Sequence, residues 1–219
     1  MENVTVKRIL DGRDYTSELA VGSWQSAEDV MHEIEKDAVF YRKSGGGVTF
    51  SGGEPLMQAN ALEELLRLCR DRGFHTAVDT CGYAEPASFN RIKDLTNLWL
   101  YDLKLVDDVK HVEFTGVSNE FALKNLEVIA RAGKEIIIRF PVIPGITDGI
   151  ENLDGILNLM KQLDLKRIDV LPYHAIANEK YRRMGKMNVL EGLKEPEQSR
   201  IDEIIEYFNR QGLVAGPGD

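Results

Sequence analysis

Five short runs of this chain are apolar at nearly every position: Val48–Phe50, Thr76–Thr80, Leu98–Asp102, Ile136–Phe140 and Ile168–Leu171. Each is too short for a helix and is rich in β-branched or aromatic residues, so each reads as a strand buried on both faces. Between them, apolar residues recur every three or four positions. Leu62, Leu65, Leu66 and Cys69 mark one stripe, closed by Gly73 as a C-terminal cap. Leu153, Ile156, Leu157 and Met160 mark another, and Ile201, Ile204, Ile205 and Phe208 a third, stopped near Gly212. Further helices are expected over 86–94, over 120–132 ahead of Gly133, and from Ser26, whose pairing with Asp29 approaches a capping box ahead of Val30, Met31, Ile34 and Ala38. Strands alternating with helices, each strand apolar throughout, dictate a parallel sheet with covered faces: an α/β fold. A sixth strand is open at Val4–Leu10, followed by a turn at Asp11-Gly12-Arg13-Asp14; from there to Trp24 no period is sustained.

Composition narrows the function classes. A chain of 219 residues is long enough for one sizeable core. A net charge of −9 argues against nucleic acid as the main partner, because phosphate binding needs basic patches. No apolar run approaches the roughly 20 residues that cross a bilayer, and no secretory h-region opens the chain. With only two cysteines, Cys69 and Cys81, a cytoplasmic protein without a disulfide framework is expected.

The polar residues fall in a pattern. The five strands run, in order, into Glu54, Asp79, Asp102 with Lys104, Arg139, and His174. In parallel α/β sheets, ligands bind at the C-terminal edge of the strands. One polar residue there is ordinarily a loop residue or a cap, whereas five in succession converge on one rim. The stretch Gly45-Gly46-Gly47-Val48-Thr49-Phe50-Ser51-Gly52-Gly53-Glu54-Pro55 adds paired glycines beside Glu54, which let the backbone approach a ligand closely. There is no serine elbow and no phosphate-binding GxxxxGK[ST] loop, and the first glycine run precedes its strand, the wrong order for a dinucleotide fingerprint. His32, His75, His111 and His174 lack zinc-type spacing; His32 and His111 read as solvated and His75 as the start of a strand. What remains is a rim for a molecule carrying an amine, a carboxylate and a sugar or base. Lys104 or Arg139 would pair the carboxylate, and Glu54 or nearby carbonyls would take the ammonium. Asp79 and Asp102, on neighbouring strand ends, would repel unless a cation or hydrogen bonds intervened.

GGGVTFSGGEPL, AVDTCG, LYDLK, IIIRFPVIPGITD and VLPYH resemble, in order and spacing, motifs of the glycyl-radical-enzyme activating enzymes, typified by pyruvate formate-lyase activating enzyme, within the radical S-adenosylmethionine superfamily. The match runs from about Ser26 to the C-terminus. The resemblance implies a partial (β/α) barrel, truncated relative to the six-unit barrel of that superfamily, that binds S-adenosylmethionine. It implies a [4Fe-4S] cluster passing one electron to the sulfonium, and a 5′-deoxyadenosyl radical that takes hydrogen from a glycine of a glycyl-radical enzyme. A flavodoxin- or ferredoxin-type donor would supply the electron. Position by position, Gly52, Gly53 and Glu54 resemble the segment holding the methionine amine, and Lys104 the residue near its carboxylate, helped by Arg139. His174 resembles the contact to the adenosine end. Asp79, Thr80, Asp102 and the carbonyl of Leu100 resemble a monovalent cation site. No residue is assigned a catalytic role.

The departure from the family is the absent CxxxCxxC loop that would hold the cluster. Cys69 lies on an apolar helix stripe and reads as core; Cys81 reads as a pocket wall. Glu18-Leu19-Ala20-Val21-Gly22 resembles the tail of a ferredoxin-like insert, so 1–25 is expected to be a remnant of one and 26–219 the barrel. The expectation is that the first βα unit, with its cluster loop, is missing, and that this chain alone is inactive. The alternative is a cluster-free module that binds S-adenosylmethionine or the partner, and a (β/α) enzyme such as an aldolase stands as a third reading. Pyruvate formate-lyase, glycerol or diol dehydratases, and decarboxylases all remain open as partners. The missing strand would leave a sheet edge that Val4–Leu10 patches or that a homodimer covers.

Overall fold

The computed structural model describes residues 3–10, 13–20, 23–174, 190 and 192–218. Two sheets form. The smaller is a hairpin of β1 (Asn3–Leu10) and β2 (Arg13–Ala20), antiparallel from the pair Asn3–Ala20 to the pair Leu10–Arg13. The larger holds six parallel strands in chain order: β3 (Gly47–Phe50), β4 (His75–Thr80), β5 (Leu98–Asp102), β6 (Glu135–Val142), β7 (Arg167–Pro172) and β8 (Val214–Pro217). The helices are α1 (Ala27–Lys36), α2 (Ala38–Ser44), α3 (Ala59–Asp71), α4 (Pro86–Ile92), α5 (Asp108–Thr115), α6 (Glu120–Arg131), α7 (Ile150–Gln162) and α8 (Gln198–Arg210). A strand order that follows the chain is what successive βα crossovers produce. The sheet is open, with β3 and β8 at its edges: a partial barrel.

One cluster forms the core, and it lies on a single side of the sheet. Register puts Val78, Trp99 and Ile136 in one row and Tyr101, Ile138 and Ile168 in the next, with Phe140 and Val170 beyond. These side chains pack against Leu62 and Leu66 of α3, Phe89 and Ile92 of α4, Leu126 and Ile129 of α6, Ile156 and Met160 of α7, and Ile204 and Phe208 of α8. Phe89 stacks on Trp99 with ring centroids 4.8 Å apart, adding a directional aromatic contact to the buried area. The alternate residues face the other way. Asp79, Leu100, Asp102, Arg139, Asp169 and Leu171 are half-buried and lie outside that cluster.

Several boundaries differ from expectation. The sixth strand of the sheet is β8, at the C-terminal end. Its Val-Ala-Gly-Pro sequence shows no strand pattern, but an edge strand tolerates proline, and Val214 N donates to Lys166 O at 2.7 Å. Val4–Leu10 pairs with β2 and does not patch β3, which stays an edge. β2 was hidden because it is mostly polar. The first helix begins with a complete capping box between Ser26 and Asp29, but ends at Asp37, where the chain restarts as α2. Helix α5 carries no apolar stripe, since Val109, Val112 and Phe114 are exposed; it is started instead by Asp107, whose carboxylate accepts from Lys110 N at 2.8 Å. Val21 and Gly22 of the expected insert tail lie outside the described residues.

Candidate functional site

Because all six strands run the same way, the residues following them share one edge. Glu54 follows β3, Thr80 ends β4, Asp102 ends β5 with Lys104 just past it, and His174 follows β7. With neighbouring strands about 4.8 Å apart, four spacings separate the ends of β3 and β7, ~19 Å along the sheet. Arg139 is the exception. β6 runs on to Val142, so Arg139 sits inside the strand and on the open face, in register with Asp102 on one side and Asp169 on the other.

Glu54 is the most heavily engaged residue of the rim. Its backbone is extended and caps the 3-10 turn Pro55–Gln58. Oε1 accepts from Leu56 N at 3.1 Å and from the Thr80 hydroxyl at 2.6 Å. Oε2 accepts from Cys81 N at 2.9 Å and from the Cys81 thiol at 3.0 Å. Thr80 Oγ1 in turn accepts from Gly82 N at 2.9 Å. A carboxylate offers about four lone-pair positions, so four donors fill it. The loop from β3 is thereby tied to the end of β4. In front of it, Gly52 adopts φ +125°, and a Cβ at Gly52 or Gly53 would meet nothing within 4 Å, so bare backbone faces open space.

Ion pairs occupy the open face. Arg139 Nη1 lies 2.8 Å from Asp79 Oδ2, with both side chains less than a fifth exposed, and Ser51 Oγ donates to the same oxygen at 3.0 Å. Lys104 Nζ lies 3.0 Å from Asp102 Oδ2. The repulsion expected between Asp79 and Asp102 is thus answered by Arg139 and Lys104. Leu100 is in register with Asp79 and shares its face. Among the described residues, no group of three or more His, Cys, Asp or Glu side chains is arranged to hold a metal ion. His174 stands further out, more than half exposed, with Nδ1 3.5 Å from Glu195 Oε1; the pair is ionic when the imidazole is protonated.

Sequence reasoning missed the residues that hold the strand-end loops. Asn152 Nδ2 donates to Lys104 O and to Thr147 O, both at 2.9 Å, and its Oδ1 accepts from Val106 N at 3.1 Å. Asn119 Nδ2 donates to Leu105 O at 3.2 Å and to Val106 O at 2.8 Å. Asn125 does the same for the β4 loop, donating to Gly82 O and Ala84 O. The available signal at Asn125 and Asn152 was a polar residue inside an apolar helical stripe, where a buried amide needs partners; Asn119 stands just before α6 as its N-cap. His111, expected to be solvated, has Nδ1 2.7 Å from Val117 O and 3.0 Å from Thr115 Oγ1, closing the end of α5. Beside these, a cavity of about 160 Å³ opens between Cys81, Lys104, His111, Val117 and Leu123.

The cysteines do not fit an iron–sulfur cluster. Cys69 is fully buried on α3 with its Sγ 3.8 Å from Met31 Sδ, and burial pushes its thiol up to about 11. Cys81 is pushed to about 11 as well, by burial first and then by its bond to Glu54. Cluster ligation needs several converging thiolates. Here two thiols sit on different elements, each held protonated at neutral pH.

Comparison with known proteins matches this geometry to a family. The model of the radical SAM superfamily matches residues 16–159. The trans-4-hydroxy-L-proline dehydratase activating enzyme of Clostridioides difficile is 40% identical over 191 residues, covering 86% of this chain and 63% of its own length. The pyruvate formate-lyase-activating enzyme of Listeria monocytogenes is 36% identical over 202 residues, covering 89% of this chain and 80% of its own. Among solved structures, a domain of a pyruvate-formate lyase-activating enzyme from Bacteroides vulgatus superposes with a TM-score of 0.66 at 31% identity, covering 80% of this chain and 99% of that one. The chain therefore spans about three-fifths of the first of these relatives and nearly all of the solved domain. With a parallel partial barrel, its polar rim and these matches together, the chain belongs to the radical SAM superfamily, among the activating enzymes of glycyl-radical enzymes.

Proposed function

We propose that this chain is the S-adenosylmethionine-holding body of a glycyl-radical-enzyme activase. The carrying observation is the rim itself: an acid, a lysine and a histidine at the ends of β3, β5 and β7 of one parallel sheet. The methionine carboxylate pairs with Lys104, with Arg139 as a helper held in place by Asp79. The ammonium lies against the bare backbone of Gly52 and Gly53. To reach Glu54 it replaces the thiol of Cys81, the weakest of the four donors on that carboxylate. His174 meets the adenosine end. Asp79, Thr80, Asp102 and the Leu100 carbonyl form a cation site only if Arg139 and Lys104 turn away from the two carboxylates. The sulfonium so held supplies, in this family, one-electron bond cleavage that ends in hydrogen abstraction from a glycine of the partner.

The cluster for that chemistry does not fit the two cysteines of this chain. The polypeptide binds S-adenosylmethionine and a glycyl-radical enzyme without cleaving the cofactor, and an electron donor of flavodoxin or ferredoxin type serves the complete activase. Titration calorimetry with S-adenosylmethionine tests the binding half: saturable heat that K104A and H174A diminish supports it, and no heat overturns it. Anaerobic reconstitution with iron and sulfide tests the other half. A stable [4Fe-4S] absorption with cofactor cleavage by this polypeptide would overturn the cluster-free reading.

A further inference from the structure

The backbone around Lys104 is held in an unusual way. Past the end of β5, one last backbone bond to β6 runs from Leu103 N to Arg139 O at 2.9 Å. After that, three successive carbonyls, of Lys104, Leu105 and Val106, are each bonded by the amide of Asn152 or Asn119, and Val106 N is bonded by Asn152 as well. Both asparagines are buried, at 8% and 4% exposure, and they come from α7 and the start of α6, far away in the chain. Leu103 and Leu105 are buried on either side, so the intervening side chain is turned toward the rim with its backbone fixed. A buried amide that satisfies two carbonyls holds them far more rigidly than water would.

We infer that Asn119 and Asn152 are positioning residues for Lys104, setting where its ammonium stands on the ligand-binding rim. The inference rests on the reading of Lys104 as the partner of a ligand carboxylate. Misplacing a binding group by about 1 Å costs far more than its local contact energy suggests. Asn97 provides the control: its Oδ1 accepts from Thr76 N at 2.9 Å at the opposite end of the sheet, away from the rim.

The test uses N119A, N152A, K104A, N97A and the double variant K104A/N152A. Two readouts are taken below each variant's melting temperature: calorimetric affinity for S-adenosylmethionine, and the rate at which an amine-reactive acetyl ester modifies Lys104, followed by peptide mass spectrometry. N119A and N152A should weaken binding on the order of tenfold, K104A/N152A should bind no worse than K104A, and Lys104 should acetylate severalfold faster in both asparagine variants. N97A should lower the melting temperature and change neither readout. Wild-type affinity and wild-type acetylation in N119A and N152A overturn the inference, as does a Kd penalty of N152A that persists in full on K104A. If K104A itself binds as wild type, the carboxylate reading fails and the acetylation rates alone decide the positioning. Should N152A not fold, N152S, which keeps one short donor, carries both readouts.

Discussion

At the scale of the residue, Glu54 is a structural tie between the loop after β3 and the end of β4. Its two oxygens receive four donors from three positions, two of which lie 26 and 27 residues further on. Glutamine has the same shape but one acceptor oxygen, and its amide would face donors. E54Q should therefore cost about 1–3 kcal/mol, read as a drop of roughly 2–10 °C in melting temperature; an unchanged melt would show that these bonds hold nothing. The thiols make a second prediction. Cys69 and Cys81 are both raised to about 11, so the native state keeps protons that the unfolded chain releases near 8.5. Their contribution to stability is complete below that value and fades as pH climbs toward about 11. Iodoacetamide should label the native protein slowly at pH 8, faster as pH approaches 11, and quickly in urea at any of these values. The role of Glu54 as a strand-end acid was legible in sequence, because glycines and a strand announce it. Its partners were not, since nothing local joins residue 54 to residues 80 and 81.

At the scale of the element, close approach decides which glycines matter. Gly82 follows β4 with φ +70°, and a Cβ there would lie 1.7 Å from the hydroxyl oxygen of Tyr101. That tyrosine is fully buried and donates to Ala122 O at 2.5 Å, so it has nowhere to retreat. G82A should cost about 3 kcal/mol or more, from left-handed strain and overpacking together. Gly133 has a similar φ of +67° with nothing within 4 Å of its Cβ, so G133A should cost about 1 kcal/mol. Urea unfolding of the two variants side by side reads the difference; equal costs would mean that strain alone is at work. Strands β3 to β7 were legible because five apolar runs can be nothing else in a chain of this length. Helix α5 and strand β8 were not, because α5 is held by a cap and β8 by its neighbour, and neither signal is periodic.

At the scale of the whole molecule, the parallel sheet followed from the alternation of strands and helices, but its edges did not. Among the described residues, β3 pairs on one side only along Gly47–Phe50, and Val39 and Phe40 of the preceding α2 are exposed. Such an edge invites pairing between chains. Size-exclusion chromatography with light scattering should show association that grows with concentration and weakens in T49K, which places a charge on the exposed position of that strand. A strict monomer at all concentrations would remove the edge as a contact.

The large apolar cluster lies behind the sheet, and the Asp79–Arg139 and Asp102–Lys104 ion pairs lie in front of it. The apolar packing and the charged front face therefore draw on alternate residues of the same strands. Leu100, Asp102 and Leu171 lie outside the apolar cluster, so substitutions there should change the front face while leaving the packing behind it intact. Such a molecule can change the chemistry of its front face through a handful of substitutions, without having to relearn how to fold.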